Sequence, residues 1–405
     1  MGEPALPAGQ VILCFAADPW EGLWRNRHQL MTRLARRHTV LYVEPRLYLW
    51  EALRRFRDGR LRLRDLRRPL AEHYRDGLWL YHDPYYAPFS GRLSGGPLTA
   101  ALRRRALHRT LHRLGATEPI LWLLRPYQAD QIGQHGEKLV VYHVTDEYSA
   151  YPTVADRQAF RRQEEALLRR ADLVIVTSPG LLASKGPFNP HTYLVPNAVD
   201  YEGFQAALQG SPPPALAAQL ASIARPRIGY AGALNEKLDY RLLAEVARAH
   251  PEWQLVLIGA LDLYSQPHKA DPLRGLPNVH WLGRLPVTDL PWGIASLDVC
   301  LLPYERSEWT LNIDSLKLYE YLACGRPVVS TDVPTAHTFA ELVRIAEGPA
   351  AFIAQIEQAL AHDDQPDLRA RRQAAVAGHT WEARVAQIEG LLAEALTRRA
   401  AQSKT

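Results

Sequence analysis

Trp309-Thr-Leu-Asn-Ile-Asp-Ser-Leu-Lys-Leu-Tyr-Glu-Tyr-Leu-Ala-Cys-Gly-Arg-Pro-Val-Val-Ser-Thr-Asp-Val-Pro334 is the stretch on which the reading of this 405-residue chain turns. Leu316, Tyr319 and Leu322 recur at helical spacing, Ser315 stands where a cap belongs, and Gly325 with Pro327 ends the run. Val328 and Val329 follow at once and are β-branched, so the order is loop, helix, tight turn, buried strand, the second half of a βαβ unit. The start of such a helix offers unpaired amides and positive dipole to an anion, here from Asp314 to Lys317. Phosphate is the natural guest. Glu320 lies one turn on, the only carboxylate between Asp314 and Asp332, and a carboxylate there accepts two hydroxyl hydrogen bonds from a sugar ring.

At these residues the chain resembles the GT-B glycosyltransferases of glycosyltransferase family 4, whose signature is Glu, seven residues, a second Glu, then a small-residue turn. The second half stands intact as Glu320-Tyr321-Leu322-Ala323-Cys324-Gly325-Arg326-Pro327-Val328-Val329; eight places before Glu320, Asn312 replaces the first carboxylate. The resemblance implies that Glu320 holds the nucleotide ribose, that Ser315 and Leu316 offer amides to the distal phosphate, and that Asn312 sits toward the donor sugar. Asp314 and Lys317 belong to the same donor site.

A chain of this length exceeds what one core usually supports, so two domains of about 200 residues each are expected. No apolar run approaches the ~20 residues of a bilayer span, and the N-terminus has no basic patch before Val11, so neither spanning nor secretion is expected. Cys14, Cys300 and Cys324 lie in apolar or helical contexts without metal spacing, which reads as reduced, buried thiols in the cytoplasm. The net charge of +5 hides an asymmetry: residues 1–200 carry 29 basic against 20 acidic side chains, residues 201–405 19 against 23. The basic half is the one to meet an anionic surface.

That half opens with Val11-Ile12-Leu13-Cys14-Phe15, a buried-strand run, then a loop from Ala16 to Trp24, a helix from about Asn26, and the strand Val40-Leu41-Tyr42-Val43. In a doubly wound sheet ligands sit at the carboxyl ends of strands, which puts Asp18, Trp20, Glu21 and Gly22 on the binding edge. Glu21 and Gly22 are the acceptor-side candidates, and a purely structural loop is the alternative. The Gly-x-Gly-x-x-Gly of a dinucleotide oxidoreductase is missing. From Arg54 to Arg68 eight arginines and two aspartates interleave with Phe56 and three leucines, either a solvated helix or a surface for anionic lipid headgroups, joined by Arg103, Arg104 and Arg105. No nucleic-acid-binding module accompanies them.

Leu139-Val140-Val141-Tyr142-His143-Val144 runs directly into Thr145-Asp146-Glu147-Tyr148, placing Asp146 at the sheet edge where a cleft opens. His143 is the second catalytic candidate, and a core histidine is the competing reading. The Tyr142…Asp146-Glu147-Tyr148 pattern also resembles a bacterial cell-surface-polysaccharide branch of these enzymes, including teichuronic-acid-type transferases. Tyr193-Leu194-Val195-Pro196-Asn197-Ala198-Val199-Asp200 is similar to the segment that closes the first domain in the family, and the prolines from 212 to 226 mark a linker.

The strand-helix alternation then restarts, with Gly232 and Gly283 at strand ends beside the donor. Ala233-Leu234-Asn235-Glu236-Lys237 resembles the family's phosphate loop; Lys237 fits, and the usual arginine is replaced, with Lys317 the nearest substitute. The expected organisation is an α/β GT-B fold of two doubly wound Rossmann-like domains facing a cleft: residues 1–205 on the acceptor side, a linker over 206–226, a nucleotide-sugar domain over 227–378, and a C-terminal helix over 379–405 crossing back. The function implied is transfer of a sugar from a nucleoside diphosphate sugar to a saccharide or lipid-linked acceptor with retention of configuration, in cell-surface polysaccharide or glycolipid synthesis. The alternative is a GT-B protein that binds nucleotide sugar or glycan without turnover. There is no Asp-x-Asp triplet, so neither metal nor cofactor is expected beyond the donor, nor nucleic acid as a partner; an anionic membrane met through Arg54 to Arg68 would put a cytoplasmic protein at the inner face of the cell membrane.

Overall fold

The structure, a computed structural model, describes residues 6–59, 62, 68–89 and 96–402. Two sheets organise it. The first holds β1 (Val11–Phe15), β2 (Thr39–Val43), β3 (Ala71–Arg75), β4 (Leu78–Tyr81), β5 (Ile120–Leu123), β6 (Leu139–Val144), β7 (Leu173–Val176) and β8 (Thr192–Leu194), in the order β3-β4-β2-β1-β5-β6-β7-β8. The second holds β9 (Arg227–Ala231), β11 (Gln254–Ile258), β13 (Val279–Gly283), β14 (Val299–Leu302), β15 (Val328–Thr331) and β16 (Val343–Ala346), in the order β13-β11-β9-β14-β15-β16. Beside it, β10 (Leu234–Asn235) pairs with β12 (Leu261–Asp262). Among these only the β3–β4 pairing is antiparallel. The continuous apolar runs read from sequence are the central strands, buried on both faces as parallel strands under helices must be. All three cysteines are buried and unpaired.

The strand orders position the site. In the first sheet the direction of winding reverses between β1 and β5, and in the second between β9 and β14. A crevice opens at the carboxyl end of each such reversal, and here the two crevices face each other.

The segment expected as a linker is mostly helical. Helices Tyr201–Gln209 and Pro214–Ala221 occupy it, and Phe204 and Ile223 join the core of the second domain. Pro214 heads the second helix, where a missing N–H costs nothing, so the prolines punctuate two helices instead of loosening the chain. The last helix, Trp381–Gln402, crosses back as expected: Trp381, Ile388 and Leu392 enter the first domain's core, Arg33 pairs with Glu382 at 2.6 Å, and His38 meets Glu389 at 2.9 Å.

Candidate active site between two facing crevices

Two adjoining cavities, of about 150 and 700 Å³, share Arg25, Leu316 and Lys317 as walls. The smaller is lined by both domains: Asp18, Arg125 and Asp146 on one side, Lys237, Ser315 and Lys317 on the other. Glu320, Gly22, Gly232 and Arg284 line the larger.

On the second domain's side the helix Leu316–Ala323 begins in the smaller cavity. Ser315 does not cap it. The Ser315 hydroxyl lies 2.9 Å from Tyr304 Oη, and its N–H donates to Thr335 Oγ1 at 3.0 Å, so the residue is a fixed post and the amides that lead the helix are those of Leu316 and Lys317. Lys317 Nζ donates to Glu320 Oε2 at 3.1 Å, which aims the carboxylate and places positive charge beside the helix start. The lysine reaches Glu320 over Gly232, where a Cβ would come within 2.5 Å of Lys317 Cε and 2.8 Å of Tyr230 Oη. Gly259 is required, since a Cβ there would meet the carbonyl oxygen of Gly232 at 1.8 Å.

Lys237 is half-buried, its Nζ 5.1 Å from the centre of the Tyr304 ring. Burial lowers its pKa to about 8; Asp146 works against the fall, while Lys317 and Arg25 add to it. This cation therefore shares its field with residues of both domains.

Across the cleft, Asp146 Oδ2 accepts from Tyr151 Oη at 2.8 Å and Oδ1 from Trp309 Nε1 at 3.1 Å. Trp309 belongs to the second domain, so the carboxylate is oriented from both sides. Behind it lies a buried network: Lys185 Nζ donates to Glu147 Oε2 at 2.7 Å and to Glu164 Oε2 at 2.8 Å, and Tyr142 Oη donates to the other oxygen of Glu164 at 2.8 Å. Glu147 follows Asp146 directly, so this network anchors the loop that carries it.

Several expected site residues stand elsewhere. His143 lies in the core, edge-on to Trp122 with ring centres 5.7 Å apart, and does not line the cleft. Burial drives its pKa down to about 3, leaving a neutral imidazole. Asn312 faces the first domain: its carbonyl accepts from Ser178 Oγ at 2.6 Å, and a Cβ at Gly180 would come within 2.3 Å of its Oδ1. Asn312 ends a 3-10 turn, Thr310–Asn312, and three residues separate it from the helix that carries Glu320. Asp314 does line the smaller cavity and is also a clasp between domains, accepting the Asn197 N–H at 2.6 Å and Tyr319 Oη at 3.1 Å; burial raises its pKa to about 6. Glu21 is exposed beside the wall residue Gly22, and Gly283 turns its carbonyl to the Gly259 N–H at 2.8 Å while the next residue, Arg284, lines the larger cavity.

Sequence reading missed Arg25, Arg125 and Trp309. Arg125 follows β5 as Asp146 follows β6, so the same end-of-strand rule would have found it. Its guanidinium lies 3.8 Å from the Tyr148 ring centre. Burial would raise the Asp18 pKa, but Arg27, paired at 3.0 Å, with Arg125 and Arg25, holds that carboxyl below its ordinary value.

Residues 225–362, which carry Lys237, the helix start and Glu320, match the family model described as Glycosyl transferases group 1. The second domain is thus similar to the glycosyl transferases group 1. TuaH of Bacillus subtilis (strain 168), proposed as a teichuronic acid biosynthesis glycosyltransferase, is 27% identical over 242 residues, 57% of this chain and 59% of its own, so the match spans about three fifths of the relative. The whole fold is similar to sucrose-phosphate synthase from Thermosynechococcus elongatus, with a TM-score of 0.71 at 18% identity over 96% of this chain and 100% of that one. It is also similar to Anabaena HepE solved with UDP and glucose, with a TM-score of 0.66 at 15% identity over 95% and 100%. The architecture is thus GT-B, and the domain that matches the family model supplies the wall of the cleft that holds Lys237 and Glu320.

Proposed function

We propose that the protein transfers a sugar from a nucleoside diphosphate sugar to a saccharide or lipid-linked acceptor, with retention of anomeric configuration, in cell-surface polysaccharide or glycolipid synthesis at the inner face of the membrane. The observation that carries this reading is that Lys237 and the leading amides of Leu316–Ala323 face Asp146 across the smaller cavity, while Glu320, on the same helix, lines the larger cavity that adjoins it. HepE, of the same fold, is solved with UDP and glucose, and TuaH is named for teichuronic acid synthesis, which supports the donor and acceptor classes.

In this reading the diphosphate lies against the helix start and Lys237, and the charge that develops on it as the sugar departs is met by groups already in place. Glu320, aimed by Lys317, accepts from the ribose hydroxyls. Asp146, with both oxygens held, orients the sugar or acceptor at the transfer point and forms no covalent bond. Retention places departure and attack on one face of the sugar, and the walls that exclude water from that face come from both domains. Among the described residues no group of three or more His, Cys, Asp or Glu side chains is placed to hold a metal ion.

The direct test is release of nucleoside diphosphate from a panel of nucleotide sugars, with product linkage read by NMR; no release from any donor sinks the reading. Glu320→Gln weakens nucleoside diphosphate binding by about 1–3 kcal/mol, the loss of a charged acceptor, and calorimetric titration showing equal affinity for both chains refutes the ribose role. Asp146→Asn lowers kcat on the order of 100-fold, the scale of a displaced reacting group, and leaves nucleotide affinity nearly unchanged because the nucleotide is held by the other domain. Parallel loss of both would make Asp146 a group that joins the domains and nothing more.

A further inference from the structure

We propose that one edge of the first domain, built from helices Leu49–Arg57 and Gly96–Arg113, docks on an anionic lipid bilayer with Trp50, Leu53 and Phe56 entering the headgroup layer. Of the twelve large hydrophobic side chains that stand exposed among the described residues, eight fall from Tyr48 to Leu102. Trp50 and Leu53 are each 61% exposed and Phe56 53%, on successive turns along one side of their helix. On the second helix Leu98 is 65% exposed, and Leu102 stands one turn further on.

The charge around this apolar surface is of one sign. The two helices carry eight arginines against a single glutamate, Glu51, which pairs with Arg55. Arg104, Arg105, Arg109 and Arg113 line a furrow along the second helix with His108 and His112. Arg54 lies over the Trp50 ring, 5.5 Å from its centre, so its charged head stays beside the aromatic body as both approach an interface.

The two helices present one edge because Phe89 ties them together. Its backbone pairs with Leu47 and Leu49, its ring meets Tyr48 edge-on at 5.2 Å, and the guanidinium of Arg103 lies 5.4 Å from that ring while donating to the Ala87 carbonyl. Exposed Trp, Leu and Phe framed by arginine suit an interface whose surface is anionic and whose interior is apolar, which a bilayer supplies. No helix among the described residues is long and apolar enough to cross a membrane, so attachment through this edge is reversible. The inference rests on the glycosyltransferase reading only for its purpose, bringing a lipid-linked acceptor to the cleft.

The experiment is co-sedimentation of the full chain with phosphatidylcholine vesicles, with and without phosphatidylglycerol, at low and high salt, with no donor or acceptor present. The native chain is expected to sediment with phosphatidylglycerol vesicles at low salt, weakly with phosphatidylcholine alone, and less as salt screens the arginines. Trp50→Ser/Leu53→Ser/Phe56→Ser is expected to raise the vesicle Kd at least tenfold while nucleoside diphosphate binding, measured on the same preparation, stays native and shows that the variant is folded. Indifference of the native chain to anionic vesicles at low salt, equal binding by the triple variant, or capture by a soluble acidic polypeptide in preference to vesicles overturns the proposal. A chain that binds vesicles but releases no nucleotide from any donor defeats the catalytic reading and leaves this one standing; a chain that transfers sugar yet ignores vesicles does the reverse.

Discussion

Lys237→Met lowers turnover of the nucleotide sugar by about 10²–10³-fold, the range for removing one preorganised group from a site of developing negative charge. The lysine is half-buried at the cleft, and the cations near it, Lys317 and Arg25, disfavour its charge while Asp146 supports it. Its pKa of about 8 gives the prediction a second signature. In the proposed role the ammonium is the form that stabilises the leaving diphosphate, so kcat/KM of the native chain is expected to fall as pH rises through about 8. Once the donor is bound its phosphates favour the charged form, so kcat declines at higher pH than kcat/KM. Initial rates across the alkaline range check both points: the Met variant lacks this limb. An unchanged rate, or the same alkaline fall in the variant, removes Lys237 from the phosphate site.

Lys185→Met destabilises the first domain by about 3–5 kcal/mol, the cost of stripping a buried ion network of one partner. Glu147 and Glu164 are both buried and share this single ammonium at 2.7 and 2.8 Å, so the substitution leaves two carboxylates without their counter-charge. Burial disfavours the lysine's charge, but the two glutamates outweigh it and hold the pKa above its usual value. A lysine raised on folding contributes fully below its unfolded pKa of about 10.4 and loses that contribution only as pH rises through the folded value, so the deficit is complete at neutral pH. Hydrogen exchange of β6 and of the helix Arg157–Arg170 reports it domain by domain. Protection unchanged from the native chain contradicts the prediction, as does Lys185→Met/Glu147→Gln/Glu164→Gln being no more stable than the single variant.

Much of the fold was legible because each central strand is a continuous apolar run and each helix at the site carries its period and its stop locally. The run 309–334 yielded helix, turn and strand in the right order, since Leu316, Tyr319, Leu322, Gly325 and the two valines act over a few residues. The expected linker shows the reach of such local signals. Prolines at 212–214 look like punctuation, and only packing of Phe204 and Ile223 into the second core shows that the stretch belongs to folded structure.

At the site the local rules worked where a residue's role is set by its position on one element. Lys237 at a loop after β9, Glu320 one turn into a helix and Asp146 at the end of β6 all line the cleft. They failed where the role depends on what a side chain meets. His143 and Asp146 are three residues apart in sequence, yet one is sealed against Trp122 and the other opens on the cavity. Ser315 has the identity of a cap, and Tyr304 takes its hydroxyl.

Local spacing and side-chain type, acting within one turn or one strand, therefore specify the elements, the two-sheet architecture and the helix start that lines the cleft. The cleft itself came only with packing. Trp309 holds Asp146 from 163 residues away, Asp314 clasps Asn197 across 117, and Arg25 reaches the field of Lys237 from the opposite domain. Such contacts arise from how two separately formed sheets dock, which depends on the summed shape and charge of both surfaces and leaves no period in the chain to be read.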